Sequence, residues 1–324
     1  MYRYWQWESH VRPIPKLLLL LSLLTGLQAP AFCSSKIIPL HTISSPDHLN
    51  RTFSQLQNSA IHTKFHRLFI LDRSNHHIRL LSQHTLAPAL VIGDKRLRFP
   101  QDLTIPPDGF LLVADGKQGN ILKWNLNPHF PAYTKTVHFD QTINAIASLS
   151  KDEYLILDKY RNKLTLIKND RPIWKISGFG SGVSEFKQPT DIAVFNKTIY
   201  IADPGNHRVS AFNERLKPLF TINADPKHPF IKPSTITTDE KGFLYIADEA
   251  RHTVYIFDGQ HQFVRSINHL PNARQKNLYR PTGLSAQEGK LWINTPNGIY
   301  VFQLTHWHNE WLLAVHFLFR FSDT

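Results

Sequence analysis

The chain has 324 residues, of which 37 are Lys or Arg and 25 are Asp or Glu, giving a formal charge of +12. That length holds one or two domains, and in a repeat architecture it can be a single closed unit. One cysteine, Cys33, excludes an internal disulfide framework, so the fold must be stabilised by burial.

At the N-terminus, Arg3, Arg12 and Lys16 precede an apolar run at 17–24 that only Ser22 interrupts, and Ala29, Pro30 and Ala31 then supply small residues. This pattern predicts a secretory signal over 1–31, because the run is far shorter than the roughly 20 residues a membrane-spanning helix needs. Export to a periplasmic or extracellular space is expected, with no transmembrane span after cleavage. Lipid anchoring at Cys33 is a lesser alternative, against which bulky Phe32 argues. Removing Arg3, Arg12, Lys16 and Glu8 with the signal leaves a charge of about +10. Such a charge favours anionic partners, although the basic residues are scattered along the sequence and describe a solvated surface equally well. The 18 histidines make it dependent on pH.

After an N-terminal segment at 32–54, the region 55–324 reads as six copies of one pattern. The copies are 58–72, 100–115, 144–158, 189–203, 233–248 and 281–295, and their closing positions lie 43, 43, 45, 45 and 47 residues apart. Each holds short apolar runs separated by turn residues, which suits strands and is too short for helices. Six residues after the closing Asp come Ile78, Ile121, Leu164, Val209 and Val254. Nine after it come Leu81, Trp124, Ile167, Phe212 and Phe257. Fourth strands are visible at 87–92, 134–139, 173–176, 218–222 and 262–267, and the last blade takes its own from 311–321, with 36–40 as the competing segment. The prediction is an all-β protein, a six-bladed β-propeller of four-stranded antiparallel blades.

Phe186, Pro189, the run from Ile199 to Asp203, then Asn206, His207, Arg208, Val209 and Phe212 together resemble the NHL repeat. Blades one and five carry parts of the same triplet, as Asn75 with His76 and as His252. Blades two, three and six depart from it, and blade six has Thr295 in place of the Asp. The resemblance covers roughly 55–303. It implies a six-bladed propeller, commonly an interaction module, and in some relatives a nucleic-acid binder, which conflicts with the signal segment.

The recurrent Asp72, Asp115, Asp158, Asp203 and Asp248 read as caps for the following turn rather than as metal ligands, and His76, His207 and His252 sit in separate blades, too far apart to share an ion. The sharper candidates open the first strands, which line the channel of any propeller: Gln101, Asp102, Asn144, Thr190, Asp191, Ser234, Thr235 and Thr282. Their convergence suits a ligand site at the channel mouth. Asp102 and Asp191 are the acids among them. If both face the channel they suit a divalent cation or a basic ligand; otherwise they bond backbone amides of neighbouring blades. No nucleophile elbow, zinc helix or phosphate loop occurs, and Asn50 and Asn196 open glycosylation sequons. The expectation is an exported, monomeric, non-catalytic scaffold without a cofactor, binding a protein, peptide or anionic glycan at its rim or mouth. The alternative is a metal-dependent lyase or lactonase with Asp102, Asn144 and Asp191 around the ion.

Overall fold

The computed structural model describes residues 56–62, 66–82, 88–93, 95–126, 131–223, 229–270, 277–296, 298–307 and 310–314. The predicted signal, Cys33, Asn50 and the segment 36–40 lie outside them. Runs rich in Val, Ile, Leu, Tyr and Phe, broken by Gly, Asn, Asp and Pro, form six four-stranded antiparallel sheets, each a simple meander.

Blade one comprises Leu56–His62, Arg67–Asp72, His77–Ser82 and Pro88–Gly93. Blade two is Pro100–Thr104, Phe110–Asp115, Asn120–Leu126 and Pro131–His138, and blade three is Ala145–Ser148, Glu153–Asp158, Lys163–Lys168 and Arg171–Ser177. Blade four holds Asp191–Phe195, Thr198–Asp203, Arg208–Phe212 and Pro218–Ile222; blade five holds Pro233–Thr238, Leu244–Asp248, Thr253–Phe257 and Phe263–Ile267. Blade six runs through Gly283–Gln287, Lys290–Thr295 and Gly298–Trp307 to Glu310–Ala314. The last blade thus takes its fourth strand from the C-terminal side, as expected, and residues 315–321 of the expected span lie outside the described residues.

Each first strand packs beside the first strand of the next blade, and Gly283–Gln287 returns to Leu56–His62, so the six line a closed channel. A single meander leaves both faces short of cover, and stacking supplies it: one apolar cluster fills each of the six junctions between blades. The recurrent large residues lie in these clusters or beside them. Ile78, Ile121, Leu164, Val209 and Val254 are fully buried, and Trp124 and Phe212 are among the largest side chains closed off from water. In blades one to five the ladder between third and fourth strands slips at Leu81, Trp124, Ile167, Phe212 and Phe257. The extra residue in each case, Ala89, Thr134, Ile173, Leu219 or Val264, stands on the fourth strand opposite the bulky position, so the bulge bends the outer strand.

Candidate functional site

At the end of the channel where the first strands begin lies a cavity of about 300 Å³. All eight residues singled out from sequence line it, from Gln101 and Asp102 of blade two to Thr282 of blade six. Further along, the channel is walled by later residues of the same strands, including Ala60, Ala147, Ala193 and Ala286. Hydroxyls and an amide continue along it, among them Thr104, Ser148, Thr237, Ser285 and Gln287, so what distinguishes the mouth is its charged side chains.

Much of that polarity joins blades. Asp102 accepts hydrogen bonds from the amides of Leu103 and, across the junction, Ile146, both at 2.7 Å. Asp191 accepts from Ile192 at 2.8 Å and from Ile236 of blade five at 2.9 Å. Both carboxylates are buried and each oxygen already accepts one amide, so these acids join neighbouring blades, and a cation held by both would share its oxygens with four hydrogen bonds. Among the described residues no group of three His, Cys, Asp or Glu is arranged to hold a metal ion. Thr190 donates to the Ser234 carbonyl at 2.8 Å and Thr235 to the Thr282 carbonyl at 3.4 Å, while the Asn144 side-chain oxygen accepts from the Lys159 amide at 3.0 Å. These groups are half-buried, apart from buried Thr235. Hydroxyl lone pairs and the Asn144 amide hydrogens remain for a ligand.

The cavity also recruits Arg73, Lys159, Lys232, Glu249 and Arg280, which the sequence reading passed over. They follow the closing Asp (Arg73, Lys159, Glu249) or precede the opening Pro (Lys232, Arg280), and that adjacency was the available signal. Glu249 accepts from Lys232 at 2.6 Å and from Arg280 at 2.5 Å. Burial raises its carboxyl pKa, but hydrogen bonds and charge from both cations outweigh that and hold it below the ordinary value.

The closing Asp residues sit under the turns around this mouth. Asp203 accepts from the Lys187 amide at 2.8 Å, the Asn206 side chain at 2.7 Å and Arg208 at 3.2 Å. Asp248 accepts four amides, those of Ile231, Lys232, Ala250 and Arg251. Each carboxylate therefore pins its own turn to the connector that enters its own blade. Desolvation raises Asp203 and Asp115 above the usual carboxylate pKa despite these bonds.

Residues 186–212 match the NHL repeat. No curated protein matches the chain. The matched stretch shows what the triplet of the NHL repeat does in this propeller. His207 has a left-handed backbone with φ of 54°, and its Nδ1 lies 2.7 Å from the Ile231 carbonyl of the next connector. His76 reaches the Leu97 carbonyl in the same way at 3.1 Å. A carbonyl only accepts, so Nδ1 carries the proton in both. In blade five the roles reverse: the Arg280 amide donates to Nδ1 of His252 at 3.1 Å. Thus the Asp ties a turn to its own blade and the His ties it to the following one. NHL propellers generally mediate protein interactions. No helix among the described residues is long and apolar enough to cross a membrane.

Proposed function

We propose that this NHL propeller is an exported binding scaffold that receives a protein, peptide or anionic glycan at its channel mouth. The observation that carries the reading is the convergence of Gln101, Asn144, Thr190, Ser234 and Thr282 on one cavity of about 300 Å³, within a ring of sheets that holds them in place. The metal-dependent alternative would place its cation on Asp102 and Asp191 oxygens that already accept the amides joining blades two to three and four to five. Export rests on the pattern at 1–31, and N-terminal sequencing of the secreted chain is expected to begin at Phe32.

The test is a peptide and glycan array probed with the full mature chain. Binding that disappears when Asn144, Thr190 and Thr282 are changed together to Ala, and persists when Lys151 and Lys217 at the opposite end are changed, supports the reading. Binding lost only in the second variant overturns it.

A further inference from the structure

Basic residues that look scattered in the sequence are sorted by the fold. In an up-and-down meander the turns between second and third strands, and the connectors between blades, lie at the mouth end; the other hairpins lie at the far end. The described mouth-end loops are 73–76, 95–99, 116–119, 139–144, 159–162, 178–190, 204–207, 229–232, 249–252 and 277–282. They contain eleven Lys and Arg against three acids, Asp140, Glu185 and Glu249. The described far-end loops, 105–109, 149–152, 169–170, 196–197, 213–217, 239–243, 258–262 and 288–289, contain five against eight. The five closing aspartates and the two channel aspartates set seven negative charges beneath a net eight positive, so they offset most of this field at long range. They are buried and bonded to amides, however, so a docking ligand meets the exposed cations first.

Within the loops, exposed aromatic rings follow the same division, while Tyr133, Trp174, Phe220 and Phe263 stand on the outer fourth strands. Phe99, Tyr160, Phe179 and Tyr279 all stand on mouth-end loops, with Phe179 72 % and Tyr160 68 % exposed, whereas the described far-end loops expose no large apolar side chain. The Lys117 ammonium lies 4.4 Å from the Phe99 ring centre and that of Lys159 lies 5.0 Å from Tyr160. Flat rings beside cations, around a mouth rich in hydroxyls and amides, form a particular combination. Sugar rings stack their C–H faces on aromatics, and sugar hydroxyls both donate and accept, as the Thr190 hydroxyl and the Asn144 amide do. Acid groups on the sugar complement the cations. An acidic peptide matches the charge but brings no row of flat apolar faces.

We propose that the mouth face binds a carboxylated or sulfated polysaccharide, one sugar unit of which occupies the channel mouth. This rests on the reading of the mouth as a binding site. The test is biolayer interferometry with the mature chain against polygalacturonate, dextran sulfate, neutral dextran, poly-glutamate and a single-stranded oligonucleotide.

Binding to at least one of the two charged polysaccharides and none to dextran is expected, with affinity lowered about tenfold or more by Arg73→Glu combined with Lys159→Glu. Tyr160→Ala lowers it as well and Tyr160→Phe does not, while Lys151→Glu with Lys217→Glu at the far end binds like the unaltered chain. Failure of both charged polysaccharides to bind, an unaffected Tyr160→Ala variant, or an equal loss from the far-end variant overturns the proposal. Tighter binding to poly-glutamate or the oligonucleotide that still depends on Arg73 and Lys159 overturns the glycan assignment and leaves the mouth a binding site. If no ligand responds to the mouth variants, both readings fall.

Discussion

Asp191 of blade four and Ile236 of blade five, 45 residues apart in sequence, are joined by a carboxylate–amide hydrogen bond of 2.9 Å at the wall of the channel. The other oxygen of Asp191 holds the amide of Ile192. Replacing Asp191 by Ala strands two buried N–H groups, each costing about 1–3 kcal/mol. Urea denaturation of D191A is expected to show a loss of about 2–4 kcal/mol. D102A should behave alike, since Asp102 bridges blades two and three by the same arrangement. A loss under about 0.5 kcal/mol, the range of ordinary surface substitutions, would show that these acids are not structural.

Gly119 ends the turn of blade two with φ of 69°, and a Cβ there would stand 1.9 Å from the carbonyl oxygen of Phe139 and 2.4 Å from that of Gln141. Backbone oxygens cannot step aside as side chains do. Gly119→Ala is therefore expected to cost about 3 kcal/mol or more, combining left-handed strain with collision. Gly259→Ala, whose nearest neighbour would be 3.9 Å away, should leave the thermal midpoint nearly unchanged.

His207 offers a finer comparison, because its left-handed backbone and its bond to the Ile231 carbonyl are separable. Gly relieves the backbone and loses the bond, whereas Ala loses the bond and keeps the strain. His207→Ala should cost more than His207→Gly, the former by about 1–2 kcal/mol in chemical denaturation. The reverse order would mean that the left-handed backbone at 207 carries too little strain to offset the entropy of an unfolded glycine.

The Glu249 carboxyl is depressed below its ordinary 4.5 by Lys232 and Arg280. A depressed acid stabilises the folded state above the unfolded pKa, and that contribution fades as pH falls from 4.5 through the folded value. Both cations are half exposed, so Glu249→Gln is expected to cost under about 1 kcal/mol at neutral pH. The difference between the parent chain and E249Q should vanish on acidification. Buried Asp115 and Asp203, raised rather than lowered, act in the opposite sense in both proteins and cancel in that difference. Parallel urea titrations at neutral and acid pH measure it.

Strand placement was legible because it follows from local chemistry: the third strand of blade four needs Val209 and Phe212 inside and a turn at Asp203 to Asn206, and both are written within a few residues. The eight mouth residues were legible for a related reason. Any propeller's first strands line its axis, so their opening positions converge once the repeat has been aligned. The cation around Glu249 supplied by Arg280 was not legible, since it depends on how a connector 31 residues away returns to the rim. Nor was the slip of the ladder at Trp124, which answers to packing against Tyr133 and the neighbouring blade rather than to any turn residue. The sorting of charge between the two ends escaped for the same reason, because loops adjacent on one face are separated in the chain by whole strands.

The junction of blades six and one lacks the carboxylate bridge found at two of the other five. Gly283 stands where blades two and four have Asp102 and Asp191, and the contact is made instead by Ser285 with the Ser59 hydroxyl at 2.6 Å and carbonyl at 2.8 Å. Among the described residues its apolar cluster, built on Leu68, Ile70 and Trp292, is the smallest of the six. Among the described residues each blade is drawn from one contiguous stretch, so no strand crosses this joint to lock it. The ring is a split washer: prising it apart here would widen the bore while every backbone ladder stays whole, so mechanical opening is expected to begin at this joint.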